Sequence, residues 1–140
     1  MIKLSDLLQG RPFASPAEIK KYITKSIHFD SQRENYHNAT ELLIYQISFQ
    51  QTWLIATSQR LYNILDDVNK SNPHINWSIS KNKLVTNGKL KINITKHNYK
   101  SKTGLVDIGP DHKDWLYSVH LFLDKDITQA IEQLILEQML

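Results

Sequence analysis

From Glu41 onward the apolar residues recur at every second position. Leu43, Tyr45, Ile47 and Phe49 alternate first, then Trp53, Ile55 and Thr57, then Leu61 and Leu65 opposite Tyr62 and Ile64. A period of two, rich in β-branched and aromatic residues, suits the pleated, half-buried surface of a strand. Ser58-Gln59 fits a tight connection between the second and third of these strands, although it lacks the glycine or asparagine of a primed turn. Asp66 and Asp67 end the run, and VNKSNP reads as a loop. Ile75, Trp77 and Ile79 alternate again. A strand over residues 83–86 meets Asn87-Gly88, the strongest hairpin signal in the chain, and returns through Leu90, Ile92 and Ile94. LVDIG and WLYS add two short strands across the turn PDHKD.

Helical spacing flanks this region on both sides. Ile2, Leu4, Leu7 and Leu8 form one short helical turn, stopped by Gly10 and Pro12. In SPAE, Ser15 is placed as N-cap, Pro16 at the first helical position and Glu18 three residues after the cap, which is a capping box. Ile19, Tyr22, Ile23 and Ile27 follow at helical spacing, and HFDSQRENYHNAT, without a period, is a connection. At the other end Ile127, Ala130, Ile131, Leu134, Ile135 and Met139 share one face of a helix, with Asp126 and Gln129 as its capping start.

No helix interrupts the strands, so hairpin pairing is expected and a parallel βαβ sheet is not. The expected fold class is α+β, mainly β. Residues 1–40 form an N-terminal helical arm, part of the same unit as residues 41–140, which form an antiparallel sandwich or partly open barrel covered at one end by the last helix. The stretch TWLIATSQRLYNIL resembles the characteristic hairpin of bacterial pleckstrin-homology-like and GRAM-like domains. There an apolar strand ends in threonine, a polar turn follows, and Arg-Leu plus an aromatic opens the next strand; the matching positions are Thr57, Arg60, Leu61 and Tyr62. The resemblance implies a bent barrel of about seven strands closed by the C-terminal helix.

A chain of 140 residues is long enough for one core and short for two. No window approaches the roughly 20 apolar residues of a membrane-spanning helix, and MIKLSDLLQG does not read as a signal peptide, so a cytoplasmic protein is expected. Cysteine is absent, which removes disulfides, thiolate metal sites and cysteine nucleophiles. Charge changes the picture most. Lys81, Lys83, Lys89, Lys91, Lys96, Lys100 and Lys102 fall in one acid-free segment, so that segment carries +7 and the remainder −4 within a net +3.

In KLKINIT, alternation turns Leu90, Ile92 and Ile94 inward and Lys89 and Lys91 outward, and Lys81 and Lys83 extend that face if they lie on the partner strand. Such a face attracts an anionic lipid headgroup, nucleic acid or an acidic protein partner; near an anionic membrane each lysine contributes about 1 kcal/mol. The bland alternative is a wet sheet face whose lysines guard an edge strand. Nucleic acid is less favoured, because the segment interleaves only Tyr99 and His97 and holds no arginine.

A second cluster, Asp107, Asp111, His112, Lys113 and Asp114, matches part of a metal-dependent nuclease signature, yet Gly109-Pro110-Asp111 is also what a turn should contain. Asp66 and Asp67 point to opposite faces and are poorly placed to share a cation. The histidines show no zinc spacing, and the three tryptophans read as core. The reading is a non-enzymatic binding or adaptor module for a protein partner or an acidic lipid surface, without cofactor and with self-association open. The alternative is a metal-dependent nuclease or phosphodiesterase using Asp107, Asp111 and Lys113.

Overall fold

The computed structural model describes residues 10–86, 89–90, 93–98, 103–109, 118–122 and 127–139. Helix α1 spans Pro16–Tyr22 and tightens into a 3₁₀ turn at Ile23–Lys25; a second 3₁₀ turn at Tyr36–Asn38 leads into strands β1 (Thr40–Gln46), β2 (Gln50–Ala56), β3 (Arg60–Asp67) and β4 (His74–Ser80). Next come a single helical turn α2 (Lys81–Leu84), strands β5 (Val85–Thr86), β6 (Lys89–Leu90), β7 (Asn93–Asn98), β8 (Thr103–Gly109) and β9 (Ser118–Phe122), and helix α3 (Ile127–Met139). The first four strands pair antiparallel in chain order in one open sheet, while β5–β6 and β7–β8–β9 form two further antiparallel sheets. The fold is therefore α+β.

The capping box forms as the sequence specifies. The Glu18 N–H donates to Ser15 Oγ at 3.2 Å, and the Ser15 N–H donates to Glu18 Oε1 at 3.3 Å. Only the end of this helix departs from expectation. The 3₁₀ turn stops it at Ser26, in extended backbone, so Ile27 leaves the apolar stripe and is 93% exposed, while Ile19 and Ile23 stay buried.

Strands β2 and β3 are buried on both faces. Leu54, Ala56 and Leu61 join Ile44, Ile79, Leu84 and the α3 residues Ile131, Leu134, Ile135 and Met139 on one side. Trp53, Ile55, Tyr62 and Ile64 join Ile19, Ile23 and Ala39 on the other. Each fully buried aliphatic side chain contributes about 1.5–3 kcal/mol, so neither cover is optional. α3 thus lies on one face of the four-stranded sheet. Its last turn is tied to β1, where Gln138 Nε2 donates to Asn38 O at 3.2 Å and to Thr40 Oγ1.

Two bulges change which side chains share a face. The β1–β2 register shifts between Leu43 and Tyr45, and the β3–β4 register shifts between Asn63 and Ile64, opposite Asn76. An extra residue reverses the alternation beyond it. In β1, Leu43 packs on the arm side between Leu42 and Ile44 on the α3 side; in β4 the extra residue puts Ile75 on the arm side while Trp77 and Ile79 pack on the α3 side. β1 ends at Gln46, which leaves Phe49 in the turn and 44% exposed instead of continuing the strand. Lys81 and Lys83 lie in the α2 turn, not on a strand, so they do not extend a flat lysine face with Lys89.

The arm is fastened to the sheet at the end of β3. Arg11 Nη2 donates to Oδ1 of the fully buried Asp66 and, at 3.1 Å, to Asp67 O; the Ala14 N–H donates to Asp66 Oδ2 at 2.8 Å. Gly10 sits at φ +64, and a Cβ there would fall 2.0 Å from Val68 O, so only glycine allows the Arg11 N–H to reach that carbonyl at 2.9 Å. Replacing Arg11 with alanine strands a buried carboxylate, with an expected cost of about 3–5 kcal/mol. Urea unfolding should show a lower midpoint with an unchanged slope, and Asp66→Ala in the same chain should recover part of the loss.

Candidate ligand-binding site

The Ser58-Gln59 turn has no glycine because Thr57 supplies the turn chemistry. Its hydroxyl accepts from the Gln59 and Arg60 N–H groups, both at 3.1 Å, while the Thr57 N–H closes on Arg60 O at 2.9 Å. With both acceptor positions filled, its single proton goes to Glu34 Oε1 at 2.6 Å. Tyr62, facing the arm from β3, donates to the same oxygen at 2.8 Å, and the Asp30 N–H donates to Glu34 Oε2 at 2.7 Å. Glu34 is only 4% exposed.

The loop that delivers Glu34 is shaped by its own side chains. The Arg33 and Glu34 N–H groups both donate to Asp30 O, and Asp30 Oδ1 accepts from the Gln32 N–H at 3.0 Å. Arg33 Nε lies 3.8 Å from Asp30 Oδ2. Across from it, Arg60 Nε and Nη2 donate to Ser78 Oγ at 3.3 and 3.2 Å, which fixes the guanidinium against β4.

A cavity of about 200 Å³ opens beside this cluster. His28, Asp30, Arg33 and Glu34 enter it from the α1–β1 connection, Gln59 and Arg60 from the hairpin tip, and Ser80, Lys81 and Asn82 from the junction of β4 with α2. Pockets for drug-sized ligands run to about 300–1,000 Å³. This one is the size of a single functional group and its immediate attachment.

The same cluster perturbs Tyr62. Burial first, then the hydrogen bond to Glu34 and the charge on Glu34, push its phenol well above the ordinary value of 10.0, and the opposing charge of Arg60 does not reverse that.

Of the lysines singled out by charge, Lys81 stands in the cavity wall and Lys83 is exposed on α2. Lys89 is paired across from Thr86 in β6, and Lys96 across from Val106 in β7. Lys91, Lys100 and Lys102 lie outside the described residues, as do Asn87-Gly88, Asp126 and the first nine residues with Ile2, Leu4, Leu7 and Leu8. Asp107 is in β8, across from Thr95, whereas Asp111, His112, Lys113, Asp114 and Trp115 are outside the described residues. Among the described residues no group of three histidines or carboxylates is placed to hold a metal ion.

Glu34, Arg33 and His28 sit in a segment whose lack of period made it look like a plain connection. The available signal was Thr57, a β-branched hydroxyl residue at a turn that lacks the usual turn formers. No protein-family model matches the chain, and neither a curated protein nor a solved structure matches it.

Because the folded value for Tyr62 lies above the unfolded one, the folded state keeps this proton above pH 10 while the unfolded state loses it. Its contribution is complete below pH 10 and is lost as pH rises further, by about 1.4 kcal/mol per pH unit. Unfolding free energies measured between pH 9 and pH 11.5 should fall more steeply for the unmodified protein than for Tyr62→Phe.

Proposed function

We propose that the protein is a non-enzymatic binding module of pleckstrin-homology-like type that docks on an acidic lipid surface through the cavity at the β2–β3 tip. The observation that carries this reading is the convergence of Arg33, Arg60 and Lys81, from three separate parts of the chain, on one cavity too small for a drug-sized ligand. An anionic group on a larger body suits such a cavity, since arginine forks and a lysine point charge are the usual partners of phosphate oxygens. Ile27 favours a lipid surface over an acidic protein: it is an almost wholly exposed apolar residue and directly precedes His28 of the cavity wall. The basic segment that begins at Lys81 adds attraction of longer range. Thr57, Arg60, Leu61 and Tyr62 support the pleckstrin-homology-like part of the reading, in which the smaller sheets continue β1–β4 into a partly open barrel of about seven strands closed by α3.

Flotation with phosphatidylcholine vesicles, with and without phosphatidylglycerol, tests this. Binding is expected only to the anionic vesicles, and should weaken as ionic strength rises and the screening length drops below about 10 Å. Lys81→Gln should lower the partition coefficient about five-fold, one lysine's worth of attraction to an anionic surface. Equal recovery on neutral vesicles, or none on anionic ones at low salt, overturns the lipid reading; retention on immobilised polyglutamate alone would redirect it to a protein partner.

A further inference from the structure

Glu34 is a buried carboxylate, and among the described residues it belongs to no ion pair. Buried charges are normally paired, because desolvation is otherwise uncompensated. Its hydrogen bonds are unevenly shared between the two oxygens. Thr57 and Tyr62 fill Oε1, while the Asp30 N–H is the one described donor to Oε2, and a carboxylate offers about four acceptor positions. Oε2 thus accepts one hydrogen bond from the described residues and Oε1 two, and Glu34 lines the cavity. Arg60 and Lys81 enter the same space from the sheet side, and among the described residues no acid pairs with either.

We infer that the cavity takes a zwitterionic group, a primary ammonium that donates to Glu34 Oε2 joined to an oxyanion held by Arg60 and Lys81. This deepens the membrane-docking reading and rests on the same cavity, but it specifies chemistry that a purely anionic group lacks. The ammonium supplies a positive charge that pairs directly with the carboxylate. The oxyanion uses cations that a simple amine would repel. A quaternary ammonium does not satisfy the site, because it has no N–H to give. The same chemistry occurs on a free aminophosphate and on an ethanolamine-type lipid headgroup, and the two sources are separable by experiment.

The first arm uses O-phosphoethanolamine, with ethanolamine and inorganic phosphate as its separate halves. At roughly ten times its dissociation constant, O-phosphoethanolamine should raise the melting temperature by about 4 °C, and neither half should match it. Amide resonances of Gln59 and Lys81 should move in the same titration. Glu34→Gln, which keeps the shape and removes the charge, should weaken binding by about ten-fold or more. If that variant fails to fold, Lys81→Gln, on a partly exposed residue of a surface turn, carries the same test from the oxyanion side. The second arm compares phosphatidylethanolamine with phosphatidylcholine in vesicles of equal phosphatidylglycerol content, where tighter binding to the first identifies a lipid source. Response to the free aminophosphate without vesicle binding supports the zwitterion site and overturns membrane docking. Vesicle binding that ignores ethanolamine headgroups, together with no response to O-phosphoethanolamine or an equal response to inorganic phosphate, overturns the zwitterion site and leaves membrane docking standing.

Discussion

Strands β2 and β3 present large apolar side chains on both of their faces, and the need to cover both is the constraint from which the other arrangements follow. A hairpin with Leu54, Ala56 and Leu61 on one face and Trp53, Ile55, Tyr62 and Ile64 on the other has no side to leave in water. Antiparallel sheets usually keep one solvated face, and their strands alternate accordingly. Here α3 takes one face and the arm takes the other. Among its described residues the arm has one short α-helix and two 3₁₀ turns, and polar contacts add to its apolar ones. The bond of Arg11 to buried Asp66 and the close approach at Gly10 hold it in register with the end of β3.

The polar cluster at the opposite end of the hairpin arises from the same requirement. Bringing the α1–β1 connection over the sheet places a glutamate above a threonine and a tyrosine whose hydroxyls need partners. Thr57 spends its acceptor positions on the turn and its proton on Glu34, and Tyr62 donates its own proton to the same oxygen. A buried carboxylate held by neutral donors is costly unless a cation reaches it. The cavity beside it, with arginines and a lysine at its wall, is where that cost can be offset by something outside the chain.

Much of this was legible in the sequence, and the failures have physical causes. The capping box at Ser15 and Glu18, the positions of the four leading strands and the last helix follow from local spacing and cap chemistry, which tertiary packing leaves untouched. Ile27 and Phe49 went wrong because periodicity does not reveal where a helix tightens to 3₁₀ or where a turn ends a strand early. Ile75 and Trp77 look like one face until the extra residue Asn76 separates them. The site was the least legible part. Lys81 stood out by charge, but its meaning depends on Arg33 and Glu34, which come from a distant and aperiodic segment, and no local pattern announces that a loop will fold over a hairpin tip. The double burial had a signal: WLIA and LY-IL are apolar at both parities, a pattern that one-sided alternation does not explain.

The cavity lies on a seam, because one wall belongs to the arm's connection and the other to the sheet. Opening the arm without unfolding the sheet would dismantle the site and uncover Tyr62, Asp66 and Ile64 together, the pattern expected of a sub-global opening in amide exchange. Occupancy of the cavity would then favour the closed arm. A bound group would slow exchange along α1 and at the Arg11 amide, far from any atom it touches, while leaving the α3 face of the sheet to open on its own terms.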